Sequence, residues 1–323
     1  MTVAGVLLAY AACTGTLGSR LLGRAGWPDR APRLAIITYL AAAWSIVAAL
    51  GLAGLTLAVH ATALGGGLSH LIGACVLRLR ATYATPGGAA VAGLGLTLAG
   101  GLAARTTLTA VSHLRATGRQ ARRHAQAARL VGHPEPALGA VLVEDARPAA
   151  YCVAGRHPTV VLTTGAVQAL DRGQLAAVLA HERAHLAGHH HRLLAMARIG
   201  RQVLPFLPLM RAADTQVARL AELHADDTAT RARGPGPLAA ALVLLATAAA
   251  PAGPAPARAA PVLAAAATDT VQRIHRLLDP AQPLGRARRH LLRATAAALA
   301  LTPVLLALAP AALALALGRV PGA

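Results

Sequence analysis

"LAAVLAHERAHLAGHHHRLL", residues 175–194, places five histidines within eleven positions of an otherwise apolar segment. The chain has only four glutamates, and one of them, Glu182, stands among these histidines. His181-Glu182-Arg183-Ala184-His185 is an HExxH motif. On a helix, positions i and i+4 share a face, so two imidazoles can reach one metal ion. Glu182 lies one step around the helix, where it can take the proton of a metal-activated water during attack on a carbonyl. With 14 histidines and 4 glutamates in the chain, chance gives such a motif about 0.008 times. The motif is therefore read as chemistry rather than as polar surface.

The context agrees with a zinc helix. Asp171 reads as the N-cap, Gln174 stands at the capping-box position, and apolar residues recur at helical spacing. Three β-rich runs precede it: ALGAVLVED (137–145), AAYCVAG (149–155) and PTVVLTTG (158–165). They read as three antiparallel strands. Helices are expected at about 191–204, stopped by Pro205 and Pro208, at 211–232, and at 238–250 between Pro- and Gly-rich breakers.

A tetrahedral catalytic zinc usually takes a third protein ligand. The candidate is Glu222 in RLAELHADDTATR, on a helix 37 residues after His185. Asp226 shares its face and is placed to accept a hydrogen bond from a ligand histidine, fixing that ring's tautomer. His224 is a candidate substrate-facing electrophile for the oxyanion, or an exposed residue. His189 reads as flanking polar surface, and His190 and His191 as exposed helix-end residues. His133, His157 and His275 carry no assigned role.

Composition sets the setting. The 323 residues are 55% hydrophobic but only 2% aromatic, with a mean hydropathy of +0.52. This suits long Ala/Leu/Val helices in a membrane. Net charge is +19, and every basic residue is Arg. The arginines crowd the flanks of apolar runs, as on the cytoplasmic side of a membrane protein. The aromatic interleaving of single-strand binders is absent, so no specific nucleic acid is expected. Cys13, Cys75 and Cys152 are far apart and imply no disulfide framework.

Four spans follow: about 3–19, 34–59, 87–104 and 291–317. Arg20, Arg24, Arg30 and Arg33 place the first loop inside and the N-terminus outside. Residues 60–77 read as an external loop or re-entrant piece. The basic segment 115–129 reads as a helix lying on anionic headgroups. The domains are thus a membrane region (1–111), a cytoplasmic domain (112–290) and a closing span with a short tail (291–323). The fold class is a mainly α integral membrane protein with an inserted α+β domain.

These features resemble the membrane-embedded gluzincin metallopeptidases of the BlaR/MecR type, with HtpX-type peptidases as relatives. The likeness covers most of the chain, but its specific part is about 155–230, including VLTTGAVQALDRGQLAAVLAHERAHLAGHH. It implies zinc held by His181, His185 and Glu222, Glu182 as general base and Asp226 as support. It also implies a bacterial cell membrane and cleavage of a protein substrate such as a cytoplasmic repressor, or self-cleavage, in signalling. About six residues follow the last span, so an extracellular β-lactam sensor is not expected. The other readings are an HtpX-like quality-control protease, or a signalling scaffold with a structural metal site. A structural site has no need of Glu182. The Pro/Ala-rich region within 251–290 is a candidate for self-processing.

Overall fold

The computed structural model describes residues 3–58, 88–155, 158–231, 233–249 and 260–316. The 60–77 segment, Cys75, His157 and the Pro/Ala-rich 251–259 lie outside the described residues. Among the described residues, four helices are long and apolar enough to cross a membrane. They are α1 (Val3–Arg24), α2 (Pro32–Ala58), α3 (Gly88–Val131) and, closing the described chain, α10 (Arg286–Ala316). All four fall where the sequence placed spans. The two prolines inside α10, Pro303 and Pro310, are tolerated in such helices because other groups re-satisfy the freed carbonyls.

α3 departs from expectation. Its 44 residues run without a break from the apolar stretch through the basic segment. At 1.5 Å per residue that is about 66 Å, roughly twice a bilayer's hydrocarbon thickness. The 115–129 segment thus continues the apolar stretch as one unbroken helix and does not form a separate one, and Gly118 does not interrupt it.

The end of α3 supports a four-stranded sheet: β1 (Gly132–Glu135), β2 (Ala140–Val143), β3 (Ala150–Val153) and β4 (Thr159–Thr163). The order is β1-β2-β4-β3. The expected all-antiparallel arrangement is corrected: β2 and β4 pair in parallel, while β1–β2 and β3–β4 are antiparallel. The reason is that β3 folds back on the outer edge of β4, leaving β2 beside β4's other edge. β1 was not expected, since its residues GHPE carry no strand signal. One face of the sheet packs on α3 through Ala125, Ala128, Val143, Val153 and Val161. The other packs Leu162 against Leu175, Val178 and Leu179 of α5.

The helices after the sheet are α4 (Thr164–Ala169), α5 (Arg172–Ala187), α6 (His190–Val203), α7 (Pro208–Thr230), α8 (Gly236–Ala249) and α9 (Ala260–Leu278). The reciprocal capping box of Asp171 and Gln174 starts α5. Pro205 and Pro208 bracket the turn between α6 and α7, as the sequence indicated. α8 is apolar but too short to span.

The largest apolar core joins α1 and α2 to α6 and α7. Ile36, Tyr39 and Ile46 pack with Val203, Leu209, Met210, Val217 and Leu220. Midway along α1, Gly15 sits against Leu207, and Gly18 against Leu209. The tip of the α6–α7 hairpin is thus inserted beside the membrane-type helices. Arg105 of α3 donates to the carbonyls of Gln202 and Val203, both at 2.8 Å, and so satisfies the C-terminal carbonyls of α6. This packing crosses the boundary drawn between residues 111 and 112.

Candidate metal centre

α5 carries His181, Glu182 and His185, and α7 runs alongside it carrying Glu222 and Asp226. His181 Nε2 and His185 Nε2 are 3.1 Å apart. Glu222 closes the triangle, with Oε2 3.5 Å from His181 Nε2 and Oε1 3.4 Å from His185 Nε2. Donors 2.0–2.1 Å from a tetrahedral zinc are about 3.3 Å from each other. The three residues therefore fit one zinc ion in both donor chemistry and spacing. Among the described residues they form the one such group of three His, Cys, Asp or Glu side chains.

The other ring nitrogens are also placed. His181 Nδ1 lies 3.0 Å from Asp226 Oδ1, which turns Nε2 toward the ligand group. Asp226 is fully buried and is held by Arg273 of α9, with Nε to Oδ2 at 2.8 Å and Nη2 to Oδ1 at 2.7 Å. Arg273 Nη1 lies 3.0 Å from Glu222 Oε2. One guanidinium thus orients both carboxylates. Sequence reasoning missed Arg273 because it comes after the Pro/Ala-rich breaker, with no spacing rule tying it to the motif.

His185 has a different support. Its Nδ1 is 2.9 Å from His190 Nδ1, and His190 Nε2 is 2.9 Å from His224 Nδ1. The exposed reading of His190 is corrected: it is 1% exposed. α5 ends at Ala187, His189 adopts φ +51°, and the reversal folds the His190 ring under α5. His190 opens α6, so the helix dipole there opposes a charged imidazole instead of favouring one. Burial, reinforced by His185 and His224, lowers its pKa to about 3. His189 and His191 are exposed, as the sequence indicated. His224 is also relocated. It stands two rings from the ligand atoms, behind His185, and borders a separate cavity, so it is not placed to meet an oxyanion.

Electrostatics sort the acids by role. Burial raises the pKa of Glu222, but hydrogen bonds from His181 and His185 and the charge of Arg273 hold its carboxyl well below the usual range. Asp226 is lowered as well: Arg273 and His181 outweigh its burial. Glu182 goes the other way, raised chiefly by burial. The Cys152 thiol on β3 hydrogen-bonds its carboxylate, and burial together with that carboxylate pushes the thiol up to about 12. Cys152 is a neutral donor there, a contact that sequence spacing does not reveal. Paired acids with opposite shifts are what an acid–base site needs.

Residues 114–250 match the model of peptidase family M48. Peptidases of this family are generally zinc-dependent, in keeping with the His/His/Glu group. The matched segment contains the sheet, α5 with its HExxH motif and α7, and so both helices that carry the His/His/Glu group. It supports a metallopeptidase and a hydrolase acting on proteins. No curated protein and no solved structure matches the chain.

Proposed function

We propose that the protein is a membrane-embedded zinc endopeptidase that cuts a polypeptide laid along β3. The observation that carries this reading is the position of Glu182: a half-buried carboxylate with a raised pKa, beside three atoms spaced for one ion. A metal held only for structure has no use for that base.

When bound, zinc would supply Lewis acidity, polarising the scissile carbonyl and bringing the pKa of water to about 7. The chain's own groups do the rest. Glu182 accepts a proton as water adds to the carbonyl and passes it to the amide nitrogen as the C–N bond breaks. Cys152 holds the Glu182 carboxylate, and Asp226 and Arg273 hold His181 and Glu222. β3 is an edge strand whose far side pairs with β4, and Tyr151 on it is 42% exposed. An extended peptide added to this edge passes directly over Glu182.

The arginine-flanked helices support a catalytic domain on the cytoplasmic side of the membrane. The resemblance to BlaR/MecR-type peptidases supports a signalling role with a repressor-like substrate. An HtpX-like quality-control role draws on the same residues. The test compares membranes containing wild type and Glu182→Gln, reading metal content and newly formed peptide termini together. Zinc is expected to remain in the variant while cleavage falls by at least about 100-fold. Cleavage at the wild-type rate would refute the peptidase assignment.

A further inference from the structure

A cavity of about 960 Å³ opens where α2, α7 and α10 meet. Its rim holds Arg30, Arg33, Arg231, Arg289 and Arg293. None of these five forms an ion pair among the described residues. The sixth arginine, Arg276, is already matched by Asp227, with Nη1 to Oδ1 at 2.7 Å. Five cations facing one space repel each other and call for an anion.

Below the rim the walls become apolar. On α2 they are Leu34, Ile37 and Ala41, and on α10 Ala296, Ala297 and Ala300. Arg33 to Ala41 spans about 12 Å of helix, and Arg289 to Ala300 about 16 Å. Both runs lead from the arginines into helices apolar enough to cross a membrane. Charge and greasiness are thus separated along one axis, parallel to those helices.

We propose that this cavity binds an anionic glycerophospholipid, its phosphate among the five arginines and an acyl chain along α2 and α10. A phosphate diester provides the missing negative charge at the level where a bilayer carries its headgroups. An acyl chain covers Ile37, which is otherwise 47% exposed. The site is separate from the zinc centre, although His224 forms part of its wall. It requires the membrane reading of the helices but not the peptidase reading.

The test uses the full-length chain with Glu182→Gln, so that proteolysis plays no part. The protein in detergent is titrated with dioleoyl phosphatidylglycerol and with dioleoyl phosphatidylcholine, and retained lipid is read by native mass spectrometry. Phosphatidylglycerol is expected to be retained about tenfold more strongly. Arg33→Gln/Arg289→Gln/Arg293→Gln removes that preference. Arg119→Gln/Arg122→Gln/Arg123→Gln, which takes the same charge from α3, keeps it. Thermal unfolding in phosphatidylcholine verifies that the cavity variant is folded, and added phosphatidylglycerol raises Tm only in the chains that keep the preference. Equal retention of the two lipids, or an unchanged preference in the cavity variant, overturns the proposal. So does full displacement by millimolar glycerol 3-phosphate, which would mark a site for free phosphate. Displacement by an acidic peptide at lower concentration than the lipid would mark a polypeptide site instead.

Discussion

Gly188 has no room for a side chain. A Cβ there would lie 2.5 Å from His190 Nε2 and 3.0 Å from the Ala184 carbonyl oxygen. Gly188→Ala therefore forces the His190 ring away from His185. Loss of such support costs about 10–100-fold in metal affinity; that loss is expected in a zinc competition titration, with the chain still folded. A second expectation concerns protons. In the metal-free protein, burial opposes charge on His181, but the hydrogen bonds it donates to Asp226 and Glu222 prevail and lift its pKa to about 9. At pH 7 zinc must then displace about one proton from His181. Calorimetry in buffers of different ionisation enthalpy should detect that release, and affinity should climb with pH until about 9. The folded pKa exceeds the unfolded value of about 6.5. The stability contributed by this group is thus full below about 6.5 and disappears as pH rises through about 9, observable as a falling Tm of the metal-free protein. The pairing of His181 with His185 was legible because HExxH puts both on one face of any helix; Glu222 had to be chosen from a second helix, and the three lie close enough to hold one ion. His190 was not, because its burial depends on where α5 stops and on the left-handed turn at His189.

At the level of elements, the approach of α2 to α3 is set by two glycines. A Cβ on Gly95 would fall 2.5 Å from the Gly54 carbonyl oxygen and 2.9 Å from Leu57 Cβ. Gly95→Val must separate the helices or strain them, a destabilisation of about 1–3 kcal/mol, measurable as a lower Tm in detergent. Small residues at helix crossings let backbones approach in just this way. The positions of the long apolar helices were readable from uncharged length alone. Strand pairing was not: LTT and LVE look alike as strand ends, and only the return of β3 along β4 makes β2 and β4 parallel. The connection of Arg273 to Asp226 belongs with these failures. It joins side chains 47 positions apart, across a segment whose composition signals only a break.

Taken as a whole, the molecule does not divide where its composition does. Leu209, Met210, Val217 and Leu220 of α7 are fully buried, largely against α1 and α2. Excising 112–290 would expose them to water at a cost of about 1.5–3 kcal/mol for each large side chain. That fragment is expected to be insoluble or molten, losing near-ultraviolet dichroism and zinc binding together, whereas the full chain in detergent keeps both. The change in character near residue 112 was real in the sequence, yet it marks a change of surface and not of core. Asp29, in the short connection between α1 and α2, is gripped by Arg219, and its carbonyl by Arg276. Both arginines sit within a few residues of the groups that orient the zinc ligands. On the proposed peptidase and membrane readings, these contacts fix the height of Glu182 relative to α1 and α2. An amide bond would then meet Glu182 only by coming down to where those two helices end, so flexible chain close to a membrane is expected to be accessible and folded protein standing well clear of it is not.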